Sequence, residues 1–223
     1  MRARNDESRR TATSGAEPPR DCPLCPRLVA YRAANRVEHP EWFNGPAPSF
    51  GDLDARLLVV GLAPGKSGAN RTGRPFTGDF AGVLLYQTLL KTGFAEGRYG
   101  ADPADGLRLV ACMITNAVRC APPGNKPLPA EEATCRSFLA ARIAALPRLE
   151  VIVALGGVAH RNVLRALGVK GARQSGHGVE SVVGRYRLIG SYHCSRLNTN
   201  TGRLTAPMFE AVFERAGALL RPQ

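Results

Sequence analysis

The sequence lacks the features that mark membrane, secreted, repeat and fibrous proteins. No run approaches about 18 apolar residues, so no membrane-spanning segment is predicted. Residues 1–10, MRARNDESRR, contain no apolar stretch, and a secretory signal is not expected. There is no internal repeat, and 44% hydrophobic with 22% charged residues excludes a disordered chain, a collagen and a coiled coil. The 223 residues can bury a full core.

Acidic residues are scarce relative to basic ones. There are 30 Lys and Arg against 18 Asp and Glu, which gives a net charge of +12. Between Gly156 and Arg203 eight basic residues stand against one acid, Glu180. This surplus favours a polyanionic partner, and Arg suits phosphate because its guanidinium is a planar fork.

Apolar segments alternate in type along the chain. Residues 1–20 are polar and are predicted to form a mobile tail, whereas residues 21–223 are predicted to form a single domain. Buried strands are predicted within 55–65, 107–115, 149–157 and 186–192. Helices are predicted over 27–36, 80–93, 129–146, 158–167 and 205–220. The alternation indicates an α/β fold with a parallel sheet covered on both faces.

Ligands of such sheets bind at the carboxyl ends of the strands. The segment Gly61–Gly65 follows the first strand, and its glycines allow backbone N–H groups to approach an anion or a carbonyl. Downstream, Phe76 is either a platform for a flat base or a core residue. Asp79 precedes an apolar helix, so it is either a site carboxylate or an N-cap.

The segment after the fourth strand reads HCSRLNTNTG, from His193 to Gly202. A His at the carboxyl end of a strand can donate a hydrogen bond to a developing anion. The hydroxyls behind it and Arg196 can bind phosphates. Cys194 has no neighbouring second His or carboxylate that would make it a nucleophile.

Six cysteines without an export signal favour a metal or cluster site over disulfides, and an intracellular, cytoplasmic location is expected. Four of them can close a [4Fe–4S] cluster site or, alternatively, a Zn²⁺ site: Cys22, Cys25, Cys120 and Cys135. The wide spacing of the last two favours the cluster. Four unrelated buried cysteines are the plainer alternative, and Cys112 is assigned to the core.

Two long motifs, GLAPGKSGANRTGRPFTGDFAG over 61–82 and HCSRLNTNTG over 193–202, occur together with AVRCAPPGNKPLP over 117–129 and the four cysteines. In this combination the chain resembles a uracil-DNA glycosylase of the type-b, or fifth, branch with an iron–sulfur cluster. The resemblance implies a three-layer α/β/α fold with a central four-stranded parallel sheet.

The resemblance also implies an activity and its residues. Hydrolysis of the N-glycosidic bond of uracil, and of hypoxanthine and xanthine, would leave an abasic site for base excision repair. The implied catalytic residues are Asp79, His193 and Asn125. The implied base-binding residues are Gly61, Leu62, Ala63, Pro64, Gly65, Asn70 and Phe76. The implied DNA-binding residues are Ser195, Arg196, Leu197 and Asn198. The expected partner is double-stranded DNA, and also single-stranded DNA. The protein is expected to be a monomer and not to bind membranes.

The sequence departs from related branches at two positions. Ala63 stands where they carry an acid in or near the first motif, and Cys194 stands where the second motif often has Pro. A non-catalytic module that binds damaged DNA therefore remains an alternative. A binder that traps its product covalently is disfavoured because Lys66–Asp79 contains no His. A hydrolase of free deoxynucleotides is disfavoured by the basic stretch.

Overall fold

The centre of the protein is a mixed six-stranded sheet, seen in a computed structural model that describes residues 15–170 and 174–221. Its strands are β1 (Phe50–Gly51), β2 (Leu57–Gly61), β5 (Cys112–Asn116), β6 (Val151–Leu155), β7 (Glu180–Val183) and β8 (Tyr186–Ser191). Their spatial order is β1-β5-β2-β6-β8-β7. A separate antiparallel pair is formed by β3 (Ala95–Glu96) and β4 (Arg108–Leu109).

The four inner strands β5, β2, β6 and β8 are mutually parallel, as predicted. β2, β5 and β6 are buried along their whole length, because helices cover both faces of a parallel sheet. The predicted number of four strands is wrong for the complete sheet, since β1 and β7 add antiparallel edges. β1 has two residues and β7 is largely exposed, so neither carries the apolar run of a buried strand.

Helices lie on both faces of the sheet and make the three layers. They are α1 (Pro26–Glu38), α2 (Ala69–Thr72), α3 (Phe80–Lys91), α4 (Pro129–Ala144), α5 (Gly157–Ala166), α6 (Arg196–Asn200) and α7 (Ala206–Leu220). Side chains of α3 and α7 share one core with one sheet face, and those of α4 and α5 share a second core with the other. Among the described residues, no helix combines the length and apolarity needed to cross a membrane.

The last residues of the predicted mobile tail contact the folded domain, and the mobility of the tail stays a prediction. Residues 15–20 pack onto the folded domain, and the Glu17 carboxylate forms ion pairs with the buried guanidinium groups of Arg119 and Arg142 at 2.9 and 2.7 Å. Two buried cations without a carboxylate would be costly, so this pairing holds the segment in place. Residues 1–14 lie outside the described part of the chain.

Candidate active site

The loops after β2 and β8 meet at the carboxyl edge of the sheet. The rings of Phe76 and His193 lie with their centroids 6.0 Å apart and their planes 30° from parallel. A Cβ atom at Gly61 would lie 2.5 Å from Phe76 Cζ, so only glycine lets the strand end this close to the ring. The two loops that the sequence singled out therefore converge on one site.

Phe76 has an unusual backbone. Its φ is 53°, in the left-handed region, and the residue is only 6% exposed. For a bulky residue this conformation costs roughly 1–3 kcal/mol and is found where the surrounding structure enforces it, often at functional sites. The sequence pattern gave no signal of this strain.

Asp79 serves as an N-cap and also faces the first loop. Its Oδ1 accepts a hydrogen bond from the Gly82 N–H at 2.9 Å, which caps α3. Its Oδ2 lies 3.6 Å from where a Gly65 Cβ would stand, and 2.4 Å from where one would stand at Gly68. Burial raises the pKa of this carboxyl above its ordinary value. The two alternatives for Asp79 are therefore compatible.

Asn125 lies on the 3₁₀ turn Pro123–Asn125, after β5. Its Oδ1 is 4.0 Å from the point that a Gly65 Cβ would occupy, so it approaches the same glycine as Asp79. Asn125 itself is exposed and has a φ of 57°. The turn thus brings an amide from a third strand end to the first loop.

His193 is held by its own loop and by the strand beside it. The Asn198 Nδ2 donates to the His193 carbonyl oxygen at 2.8 Å, so this side chain braces the loop. His193 Cβ lies 3.5 Å from where a Gly156 Cβ would stand. The ring is partly buried, and desolvation lowers the pKa of His193 to about 4. The imidazole is neutral near pH 7 and can donate one N–H.

Asn116, the last residue of β5, escaped the sequence analysis. Its Oδ1 lies 2.5 Å from where a Gly61 Cβ would stand, and it is buried with no hydrogen-bond partner in the structure as described. A buried amide oxygen without a partner is costly unless a ligand supplies one. Asn116 directly follows the strand predicted over 107–115, and a polar amide at that strand end is the signal that could have found it.

Asn70 is engaged elsewhere. It is buried, and its Nδ2 donates to Asn44 Oδ1 at 2.9 Å, while its carbonyl accepts from the Asn44 N–H. This pairing ties α2 to the loop that follows α1. The predicted contact of Asn70 with a base remains a prediction. Among the other predicted base contacts, Leu62 accepts from the Val118 N–H, which joins the first loop to the segment after β5.

The short helix α6 presents an apolar side chain between polar ones. Leu197 is 72% exposed, and Arg196 stacks over the Phe80 ring with 5.2 Å from Cζ to the centroid. Ser195 is the N-cap residue of this helix. An exposed Leu beside an exposed cation is suited to entering a base stack whose phosphates lie close by.

The four predicted ligand cysteines line a single pocket. Arg32 Nη1 lies 3.8 Å from Cys120 Sγ, and the Arg119 N–H donates to Cys135 Sγ at 3.3 Å. Burial raises the pKa of Cys120 to about 11 and that of Cys135 to about 12, so these groups are thiols without a metal. The other two cysteines, Cys112 and Cys194, are fully buried elsewhere.

The same cavity does not resemble a site for one ion. In the described ranges, no three His, Cys, Asp or Glu side chains converge on a point that could hold a single metal. A tetrahedral zinc site needs four sulfurs about 2.3 Å from one point. A thiolate-ligated cluster takes the same donor set of four thiols.

Comparison with known proteins identifies the family. A family model described as Uracil DNA glycosylase superfamily matches residues 48–217. The chain belongs to the uracil-DNA glycosylase superfamily. It is 46% identical over 207 residues to a type-5 uracil-DNA glycosylase of Thermus thermophilus, covering 89% of this chain and 93% of that protein.

Other members of the superfamily give the same result. A type-5 uracil-DNA glycosylase of Pyrobaculum aerophilum is 42% identical, with 89% of this chain and 88% of that protein covered. A type-4 uracil-DNA glycosylase of Thermotoga maritima is 34% identical over 67% of this chain and 70% of its own length. The predicted family, fold class and enzyme character are confirmed.

Proposed function

We propose that the protein hydrolyses the N-glycosidic bond of uracil in DNA and leaves an abasic site. The observation that carries this proposal is the approach of Phe76 and His193, with ring centroids 6.0 Å apart, on loops from two different strands. An aromatic ring and a neutral N–H donor on adjacent loops are the groups that binding of a planar base swung out of the helix requires.

The first step is extrusion of the base, which costs a few kcal/mol and least for a mispaired base such as uracil opposite guanine. Leu197 is exposed and fills the space that the base leaves in the stack. Phe76 stacks on the extruded ring. The buried amide of Asn116 gains a partner on the polar edge of the base, which satisfies its unpaired Oδ1.

Bond cleavage places negative charge on the base and positive charge on the sugar. His193, neutral because burial lowers its pKa to about 4, donates a hydrogen bond to the base carbonyl as that charge develops. The Oδ2 of Asp79, which faces the first loop, orients water or stabilises the sugar cation, and Asn125 approaches the same loop. No redox step is required by this hydrolysis.

The substrate range is proposed to include hypoxanthine and xanthine. Ala63 has no functional group with which to select a base, so recognition falls to ring stacking, backbone N–H groups and Asn116. Duplexes bearing each of the three bases, scored for alkali-labile breaks, test this range. We expect cleavage of all three with uracil fastest. Cleavage of uracil alone contradicts the broader range.

The cysteine cavity is proposed to hold a [4Fe–4S] cluster, with Cys22, Cys25, Cys120 and Cys135 as its ligands. Support comes from the four thiols around one cavity and from the lack of convergence on a single-ion site among the described residues. The cluster would cross-link α4 and the segment after β5 to the region before α1. Its role is structural, since it replaces weakly packed apolar contacts by metal–thiolate bonds.

Substitution of Asp79 tests the catalytic assignment separately from the capping role. Asp79→Asn keeps an oxygen that accepts from the Gly82 N–H, so stability should change little, whereas Asp79→Ala should cost about 1 kcal/mol. Both should slow single-turnover cleavage by about 10–10²-fold. For the wild type, the rate should fall as pH is lowered through the raised pKa of Asp79. Unchanged cleavage by Asp79→Asn would remove the carboxylate from the mechanism.

A further inference from the structure

A buried ion pair lies next to residues 75–78, which we name the Phe76 segment. Arg74 and Asp105 face each other in a bidentate arrangement, with Nη1–Oδ1 at 2.8 Å and Nη2–Oδ2 at 2.7 Å, and each side chain is 5% exposed. Asp105 also accepts from the N–H groups of Gly100 and Leu107 at 2.8 and 3.0 Å. The pair is therefore fixed from two sides.

Three aromatic rings surround this guanidinium. The centroids of Phe50, Tyr86 and Tyr99 lie 5.3, 5.3 and 5.8 Å from Arg74 Cζ, and the two Tyr rings stack with centroids 4.6 Å apart. Cation–π contacts and the carboxylate together satisfy the buried charge. We name this assembly the Arg74 cluster (Arg74, Asp105, Tyr86 and Tyr99); the Arg74 guanidinium contacts each of the other members.

Successive residues of the Phe76 segment are bonded to the Arg74 cluster. Arg74 Nε donates to Thr77 Oγ1 at 2.7 Å, and the Tyr86 hydroxyl donates to the Pro75 carbonyl at 2.7 Å. The Tyr99 hydroxyl donates to the Phe76 carbonyl at 3.2 Å and accepts from the Gly78 N–H at 3.5 Å. The Arg74 cluster therefore forms hydrogen bonds with both peptide groups that flank the Phe76 side chain and with the turn that follows.

The backbone of Phe76 requires such external restraint. With a φ of 53° it would relax to an ordinary conformation if the neighbouring peptides were free, and its ring would leave the position facing His193. The helix behind also adapts to it, since a Cβ at Gly82 would lie 1.8 Å from the Phe76 carbonyl oxygen. The hydrogen bonds described above join the Arg74 cluster to this strained segment.

We propose that Arg74, Asp105, Tyr86 and Tyr99 are positioning residues for base excision, which hold Phe76 in the orientation that stacks on the extruded base. The inference rests on the proposed function. These four residues do not touch the substrate. Beyond their contribution to stability, they would support the complex with the extruded base by orienting Phe76.

Tyr99→Phe is the sharpest test, because it removes only the hydroxyl that bonds Phe76 and Gly78 and keeps the ring over Arg74. Tyr186→Phe is the matched control, since Tyr186 packs in the core on the opposite sheet face. With a duplex carrying 2-aminopurine beside uracil, we expect Tyr99→Phe to lower both the extrusion fluorescence and the single-turnover rate about three- to tenfold. The affinity for an undamaged duplex should stay unchanged in both variants.

Asp105→Asn and Glu17→Gln separate positioning from stability. Each removes the carboxylate from buried arginines, and both should lower the melting temperature. Measured well below that temperature, only Asp105→Asn should slow excision, with a loss of tenfold or more. Equal rates for the two variants, or a Tyr99→Phe enzyme identical to wild type, overturn the positioning role. A wild type that leaves uracil-containing duplexes uncut refutes the proposed function instead.

Discussion

Replacement of His193 by alanine should lower the single-turnover rate of uracil excision by about 10²–10³-fold, the loss typical of one donor to a developing oxyanion. The ring stands beside Phe76 at the convergence of two loops, and it is the neutral N–H donor that those loops bring together. Affinity for a uracil-containing duplex should change much less, because the proposed phosphate contacts involve other residues. Gel-based cleavage with enzyme in excess measures the rate.

Asn198→Ala provides a control of a different kind, since it loosens the loop through the His193 carbonyl but keeps the ring. It should be slower than wild type and faster than His193→Ala. A His193→Ala enzyme that retains wild-type rate would contradict the assigned role and favour a purely binding function.

The pH dependence of stability follows from the same side chain. The pKa of His193 is lowered from 6.5 to about 4, so between these values the unfolded chain binds more protons than the folded protein. This contribution to stability is fully present above pH 6.5 and is lost as the pH falls through that window towards 4. Thermal melts of His193→Gln should show a shallower decline over the same range. For the same reason, titration of His193 should cause no change in the excision rate near pH 6.5.

Replacement of a cluster cysteine should have the largest effect on stability. Cys22→Ser or Cys135→Ser should abolish iron content and visible absorbance near 400 nm, and lower the melting temperature by at least about 10 °C. The reason is that the four thiols line one apolar pocket, where the metal–thiolate bonds of the proposed cluster would supply a cross-link. Iron analysis and melting curves on the purified protein measure both quantities.

Cys112→Ala is the matched control, because Cys112 is fully buried in β5 and does not line the cavity. It should keep the iron and lose only the packing of one sulfur. Stoichiometric zinc without iron in the wild type would contradict the proposed cluster, although the same four cysteines would still be the ligands.

The fold was largely predictable from local pattern. Four continuous apolar runs predicted the parallel strands, because a strand covered by helices on both faces must be apolar throughout. The long helices were predicted within one or two residues at most ends, since proline at their start and periodic apolar positions mark them. The edge strands were missed because β1 has only two residues and β7 faces solvent.

The family resemblance also came from the sequence, because its long motifs form continuous segments. Local pattern alone predicted the layers of the fold, the two loops at the carboxyl edge and the set of four cysteines. It could not decide which of two possible roles Asp79 plays, and the structure shows that one carboxylate caps α3 with Oδ1 while Oδ2 faces Gly65.

Details that depend on residues distant in the chain became visible only in the packing of the folded protein. In the sequence, Asn116 is one polar residue just past a predicted strand, and only the packing places it beside Gly61, next to the Phe76 ring. Arg74 and Asp105 are 31 residues apart in the chain, and the sequence around neither residue predicts their pairing. The same holds for the ion pairs of Glu17 with Arg119 and Arg142. Local pattern records how each segment is buried, whereas the partner of a buried charge or amide is set by how the segments pack together.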